Sequence, residues 1–76
     1  MIERPLDLLN SYRGKNVLIE CIDGKTFSGE LLAFDLNINV VLANMRKVTE
    51  EGELKIKYGD SLIRGDKVNF ISCGEQ

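Results

Sequence analysis

Two short polar segments hold the side chains of this chain that are best suited to chemistry. They are residues 35–39, with the sequence DLNIN, and residues 64–66, with the sequence RGD. Each contains a carboxylate, Asp35 or Asp66, and two positioned carboxylates can act as general acid and general base. Carboxylates in such segments more often accept hydrogen bonds from nearby backbone N–H groups in turns. We favour this second interpretation.

Catalysis and metal binding both lack their usual side chains. The sequence contains no histidine, which excludes nucleophile–histidine triads. Its two cysteines, Cys21 and Cys73, stand far apart and outside any C-x-x-C pair, so they predict neither a zinc site nor a redox motif. We therefore predict that the protein is not an enzyme, that it holds no metal or cofactor, and that its cysteines are free thiols in a reducing compartment.

Length and charge narrow the remaining functions. A chain of 76 residues predicts one domain, and a domain of this size buries only about 60% of the surface that its unfolded chain exposes. Partner subunits are the expected source of further burial. The formal net charge of −2 argues against a broad basic surface for duplex nucleic acid but leaves room for a local basic site.

The N-terminal segment predicts a short helix over about residues 5–12. Pro5 suits the first helical position, and Leu6, Leu8, Leu9 and Tyr12 follow the spacing of an apolar stripe. The N-terminus does not have the form of a signal peptide, and no apolar run has the length of a membrane span. These features predict a cytoplasmic protein that does not enter a membrane.

The rest of the chain predicts five strands joined by turns. The strands fall at residues 16–22, 25–34, 38–48, 54–63 and 68–73, with an interruption of the fourth at Gly59-Asp60. Asp23-Gly24 predicts a two-residue hairpin turn, residues 50–53 a solvated acidic turn, and residues 64–66 a tight turn. Alternation along the second strand puts Phe27, Gly29, Leu31 and Ala33 on one face and Thr26, Ser28 and Glu30 on the other. One helix and five short strands predict an all-β sandwich or small barrel.

The two polar segments and their flanks resemble the Sm and Sm-like family. Residues 29–42 are similar to the first Sm motif, in which a glycine and an apolar stretch precede an aspartate, a variable pair, one apolar residue and an asparagine. Residues 62–71 are similar to the second motif, in which an apolar residue precedes Arg-Gly and a valine follows. The two motif regions span about residues 16–48 and 54–72 of a single domain, 1–76, and the order of the predicted elements also fits.

The resemblance, which is greatest to archaeal members, implies a fold and an assembly. The fold is all-β, with a short N-terminal helix on a strongly bent five-stranded antiparallel barrel of the SH3 type. Such subunits assemble into a ring, usually a heptamer, in which the fourth strand of one subunit pairs with the fifth strand of the next. The ring binds single-stranded, uridine-rich RNA around its pore.

Carried onto this sequence, the resemblance implies RNA-binding roles for Asp35, Asn37, Asn39, Arg64, Gly65 and Asp66. The Asn39 amide has a donor and an acceptor that match the N3–H and O4 edge of uracil. The planar guanidinium of Arg64 can stack on a base, and Asp35 would orient Asn39 or Arg64. Gly65 would let the backbone approach closely, and Asp66 would contact the base or the backbone near a phosphate.

One position departs from the family pattern. Many members carry histidine or an aromatic residue where Asn37 stands, and an amide cannot supply the stacking of about 1–3 kcal/mol per base that an aromatic ring supplies. Two functions therefore stay open. One is an RNA-binding ring in RNA processing, chaperoning or decay, with proteins of those processes as partners. The other is a structural or protein-interaction ring in which RNA binding has weakened.

Overall fold

The computed structural model describes residues 5–49 and 52–73, with side chains for residues 6–49 and 58–73. Its elements are α1 (Pro5–Ser11), β1 (Asn16–Cys21), β2 (Thr26–Phe34), β3 (Val40–Thr49), β4 (Gly52–Ile63), a 3₁₀ helix (Gly65–Lys67) and β5 (Val68–Cys73). The strands form one antiparallel sheet in the order β4-β3-β2-β1-β5. The predicted helix with five antiparallel strands is confirmed, and β4 and β5 are the two edges of the sheet.

The core lies between the concave face of the sheet and α1. Val17 and Ile19 on β1, Leu31 on β2, and Val40 and Leu42 on β3 are fully buried. Burial of side chains of this size contributes about 1.5–3 kcal/mol each. The helix adds Leu9 to this core and packs Tyr12 against it, whereas Leu8 is half-exposed. The predicted apolar stripe of the helix is therefore narrower than the sequence suggests.

Irregular pairing bends the sheet at β2. The register between β2 and β3 shifts between Ser28 and Glu30 and again between Leu31 and Ala33. A bulge of this kind moves the following side chains to the other face. The predicted faces of β2 are accordingly wrong at two positions, because Ser28 is buried and Ala33 is exposed. Gly29 lies at the first shift, where a Cβ atom would come within 3.0 Å of the Ala43 carbonyl oxygen.

Several predicted boundaries differ from the structure. The β1–β2 turn contains three residues, since Cys21 N donates to the Lys25 carbonyl oxygen and Gly24 has a φ of 87°. The fourth strand continues through Gly59, whose φ of 72° fits the irregular register with β3. The third strand begins at Val40 instead of residue 38, and a 3₁₀ helix replaces part of the predicted turn at 64–66. The predicted acidic turn includes residues 50 and 51, which lie outside the described residues.

Candidate functional site

Two loops from opposite parts of the sequence meet at one end of the sheet. Residues 35–39 connect β2 to β3, and residues 64–67 connect β4 to β5. Their backbones touch at Gly65, where a Cβ atom would lie 1.8 Å from the carbonyl oxygen of Asn37. Only glycine fits this approach without separating the loops. The position of Arg64 and Asp66 relative to the first loop therefore depends on the residue between them.

The Asp35 carboxylate organises the first loop. Its Oδ1 accepts hydrogen bonds from the backbone N–H groups of Asn37, at 2.9 Å, and Asn39, at 3.1 Å. Its Oδ2 accepts a third from Nδ2 of the Asn39 side chain, at 3.0 Å. The bond from the Asn39 side chain is the largest cause that holds the pKa of Asp35 below its ordinary value, and the backbone N–H groups add to it. Asp35 is therefore an ionised acceptor at neutral pH.

The Asn39 amide is held in one orientation. Its Nδ2 donates to the Asp35 carboxylate, and its Oδ1 accepts from the backbone N–H of Gly65 at 2.6 Å. An ionised carboxylate cannot donate and a backbone N–H cannot accept, so a rotation of the amide by 180° would break both bonds. One N–H and one lone pair of Asn39 stay available to a ligand. The orientation of this donor and acceptor is fixed before any ligand binds.

Ile38 has an unusual backbone conformation between the two asparagines. Its φ of 61° lies in the left-handed region, which is rare for a β-branched residue and costs about 1–3 kcal/mol. The Ile38 side chain is half-buried and packs against the core, and Ile38 N donates to the Asp35 carbonyl oxygen at 3.0 Å. The loop is thus held tightly between core packing on one side and the hydrogen bonds of Asp35 on the other.

Arg64 and Asp66 form an exposed pair beside Asn39. Arg64 Nη2 lies 3.2 Å from Asp66 Oδ2, with the two side chains 71% and 61% exposed. Pairs with this exposure contribute about 0–1 kcal/mol, so a ligand can displace the contact at little cost. The faces of the guanidinium are accessible to a stacking partner.

A small open cavity lies between the two loops. Five of the six predicted site residues line it, namely Asn37, Asn39, Arg64, Gly65 and Asp66. Asp35 does not line it and acts from behind through Asn39. The sequence reasoning did not identify Ile38 as part of the loop, since nothing in the residue type signals a left-handed conformation. It also did not identify the hydrogen bond between Asn39 and Gly65, which joins residues 26 positions apart.

The cavity adjoins a second groove under α1. The groove shares Asn37 and Gly65 with the cavity, and its lining is mainly apolar, with Leu8, Tyr12 and Phe70 among its residues. The two spaces therefore meet at Asn37.

Other chemistry is sparse in the part of the chain that the structure describes. Within residues 5–49 and 52–73, no three acidic or cysteine side chains converge as metal ligands. No helix among these residues is long and apolar enough to cross a membrane. Both cysteines are free thiols, and burial, followed by the neighbouring carboxylates of Asp23 and Glu20, raises the pKa of Cys21.

Known proteins resemble this chain in both sequence and fold. A sequence model of the LSM domain matches residues 7–73. A protein of Pyrococcus furiosus named as snRNP Sm-like is 43% identical over 76 residues, which are all of this chain and 99% of the relative. The Sm protein of Pyrococcus abyssi, solved in complex with a uridine heptamer, is 41% identical with a TM-score of 0.86 over 93% of this chain and 99% of its own.

A second solved structure extends the likeness. The SmAP1 heptamer of P. aerophilum has a TM-score of 0.87 at 26% identity, over 100% of both chains. Sequence, fold and motif positions therefore agree, and this chain belongs to the LSM domain family of Sm-like proteins.

Proposed function

We propose that this chain is a subunit of a ring that binds single-stranded, uridine-rich RNA at its pore through the cavity between the two loops. The observation that carries the proposal is the Asn39 amide, which Asp35 and Gly65 hold in one orientation beside an exposed Arg64. The Sm protein of Pyrococcus abyssi, 41% identical to this chain, was solved with a uridine heptamer. This likeness supports the same ligand class here.

The fixed amide gives a physical reason for the preference for uracil. Uracil presents a carbonyl acceptor, O4, next to the N3–H donor, whereas cytosine presents an amino donor next to a ring acceptor. An amide in one orientation satisfies only one of these two patterns. Because Asn39 cannot rotate without losing its bonds to Asp35 and Gly65, it selects between bases instead of adapting to them. A site built to form such bonds rejects a base that leaves its buried polar groups unpaired.

The ring follows from the two open edges of the sheet. β4 and β5 have no partner on their outer sides within the described sheet, and exposed apolar side chains lie on both, with Leu62 61% and Phe70 49% exposed. Pairing β4 of one subunit with β5 of the next covers both edges in a head-to-tail contact, which closes into a ring when the rotation fits. The heptamer of the similar P. aerophilum protein supports a ring of seven.

A ring also compensates for the low positive charge of one site. Arg64 is the one cation among the five residues that line the cavity, and it faces Asp66. Seven linked copies bind successive nucleotides of one strand, so the total affinity greatly exceeds that of a single site. Binding to bases by stacking and hydrogen bonds tolerates the net charge of −2 better than binding to phosphates would.

The wider role belongs to the same proposal. We assign the protein a non-catalytic part in RNA processing, chaperoning or decay, in contact with the proteins of those processes. The Asp35 carboxylate is engaged by three donors, which favours a positioning role over acid–base work. The free thiols fit a reducing compartment such as the cytoplasm.

Fluorescence anisotropy with labelled heptamers of uridine, cytidine and adenosine tests the RNA site. We expect wild type to bind the uridine heptamer more tightly than the cytidine heptamer, and Asn39→Ala or Arg64→Ala to weaken binding by about 10-fold or more. Arg13→Ala removes an exposed arginine from the end of α1 and serves as the charge-matched control. Retention of full affinity by the double variant Asn39→Ala/Arg64→Ala would refute the site.

Native mass spectrometry tests the ring. Phe70→Lys puts a charge on the β5 edge and is expected to yield monomers, whereas Ile22→Lys, at a position 65% exposed in the β1–β2 turn, should leave the assembly intact. A monomeric wild type would contradict the ring.

A second candidate function is a protein-interaction ring with weak RNA binding. The observation that favours it is Asn37, which gives the cavity an amide in place of an aromatic ring. In that case, assembled wild type would bind none of the three heptamers, and the double variant would retain the protein partners of wild type.

A further inference from the structure

The cavity contains two asparagines that differ in freedom. Both amide ends of Asn39 are engaged, one by Asp35 and one by Gly65. Asn37 is bound only through its backbone N–H, which donates to Asp35. Among the described residues, its side-chain amide has no hydrogen-bond partner, although the side chain is exposed and lines the same cavity. One amide is therefore fixed and the other is able to rotate.

The four bases fall into two classes along the edge that an amide can read. Uracil and guanine present an acceptor followed by a donor, whereas adenine and cytosine present an amino donor followed by a ring acceptor. The fixed Asn39 matches the first class. Asn37 can turn by 180° and match either class, since both its amide ends are free.

Adenine benefits most from a rotatable amide at this position. Asparagine forms a bidentate pair with the amino group and a ring nitrogen of adenine, and adenine offers such a pair of atoms on two different edges. Its two fused rings also present a larger face to the Arg64 guanidinium. The cavity has space for them, because at Asn37 it opens into the groove under α1.

We propose that Asn37 is a second base-contacting residue of this cavity and that, through it, the cavity accepts adenine as well as uracil. The proposal rests on the proposed RNA function and extends its ligand class to single strands that contain both bases. Asn39 excludes cytosine in the fixed orientation, and Asn37 adds a contact whose donor and acceptor can exchange places. The pore is expected to bind mixed adenine and uracil sequences with little loss relative to pure uridine.

The test compares two substitutions that preserve size and remove one amide each. Asn37→Leu leaves the backbone N–H that bonds Asp35 in place, and Asn39→Leu removes the fixed amide. Anisotropy is measured for the uridine, adenosine and cytidine heptamers with each assembled protein. We expect wild type to bind the adenosine heptamer within about 10-fold of the uridine heptamer, and Asn37→Leu to lose about 10-fold or more of the adenosine affinity but less than about 3-fold of the uridine affinity.

The outcomes separate the two proposals. Asn39→Leu should reverse the pattern, with the larger loss for uridine. If wild type binds uridine but discriminates against adenosine by more than about 100-fold, or if Asn37→Leu weakens both heptamers equally, the role of Asn37 is refuted while the RNA function stands. If assembled wild type binds neither heptamer, the proposed RNA function fails and the adenine inference fails with it.

Discussion

The contact between the two loops predicts a large effect of the substitution Gly65→Ala. The added Cβ atom would lie 1.8 Å from the Asn37 carbonyl oxygen, where ordinary contact begins at 3.4 Å. The loops must therefore separate by about 1.5 Å. A movement of this size takes the bond from Gly65 N to Asn39 Oδ1, now 2.6 Å, beyond hydrogen-bond distance.

The cost combines two effects. Overpacking at a rigid contact costs about 1–3 kcal/mol, and a lost hydrogen bond costs about 1 kcal/mol. Together they predict a loss of about 2–4 kcal/mol in the free energy of unfolding, or a decrease in Tm on the order of 10–20 °C for a domain of this size. The loosened Asn39 should also reduce the preference for uridine over cytidine heptamers.

A second glycine provides the control for this substitution. Gly24 has a φ of 87° with no atom within 4 Å of its Cβ position, so Gly24→Ala costs only the backbone strain of about 1–2 kcal/mol. Thermal unfolding of both variants at one protein concentration measures the difference, since assembly makes Tm depend on concentration. A Gly65→Ala variant as stable as Gly24→Ala, with unchanged discrimination between bases, would refute the close approach of the loops.

Three further predictions concern the carboxylate, the core and the thiols. Because hydrogen bonds lower the pKa of Asp35, the unfolded state binds a proton first as pH falls; the stability advantage of wild type over Asp35→Asn should be constant above about pH 5 and decline as pH falls through the lowered pKa, and urea denaturation between pH 7 and pH 3 would contradict this by showing a constant difference. Leu42→Ala should cost about 2–5 kcal/mol, as Leu42 is fully buried, whereas Leu36→Ala at a position 81% exposed should cost less than about 0.5 kcal/mol; equal urea midpoints would refute the assigned core. In a Cys73→Ser variant, the buried Cys21 thiol, whose pKa is raised, should react with Ellman's reagent only after unfolding, so rapid reaction of the native protein would count against its burial.

The sequence predicts the periodic parts of the fold. Val17 and Ile19 alternate with partly exposed neighbours on β1, and such a pattern depends only on the geometry of a strand. The helix begins at Pro5, where the sequence predicts it, for a reason that is equally local. Features of this kind need no knowledge of distant residues.

The irregular features depend on tertiary contacts and escaped prediction. Ile38 and Asn44 have φ values of 61° and 54°, although neither neighbouring sequence contains a glycine that would signal a left-handed residue. The backbone N–H of Asn44 faces Asp60 across the sheet at 3.4 Å, and core packing holds Ile38. Their conformations are determined by partners that the local sequence does not contain.

The candidate site divides in the same way. The residue types in both loops indicate hydrogen bonding and stacking, and the family resemblance joins the loops, but neither distinguishes Asn37 from Asn39. The two residues are identical in type and two positions apart, yet Gly65 and Asp35 fix one and leave the other free to rotate. Discrimination between bases follows from this difference in hydrogen bonding, because an amide selects a base only when it cannot turn. The partner that prevents Asn39 from turning lies 26 residues away, so selectivity for the base is a property of the folded pair of loops and not of either motif.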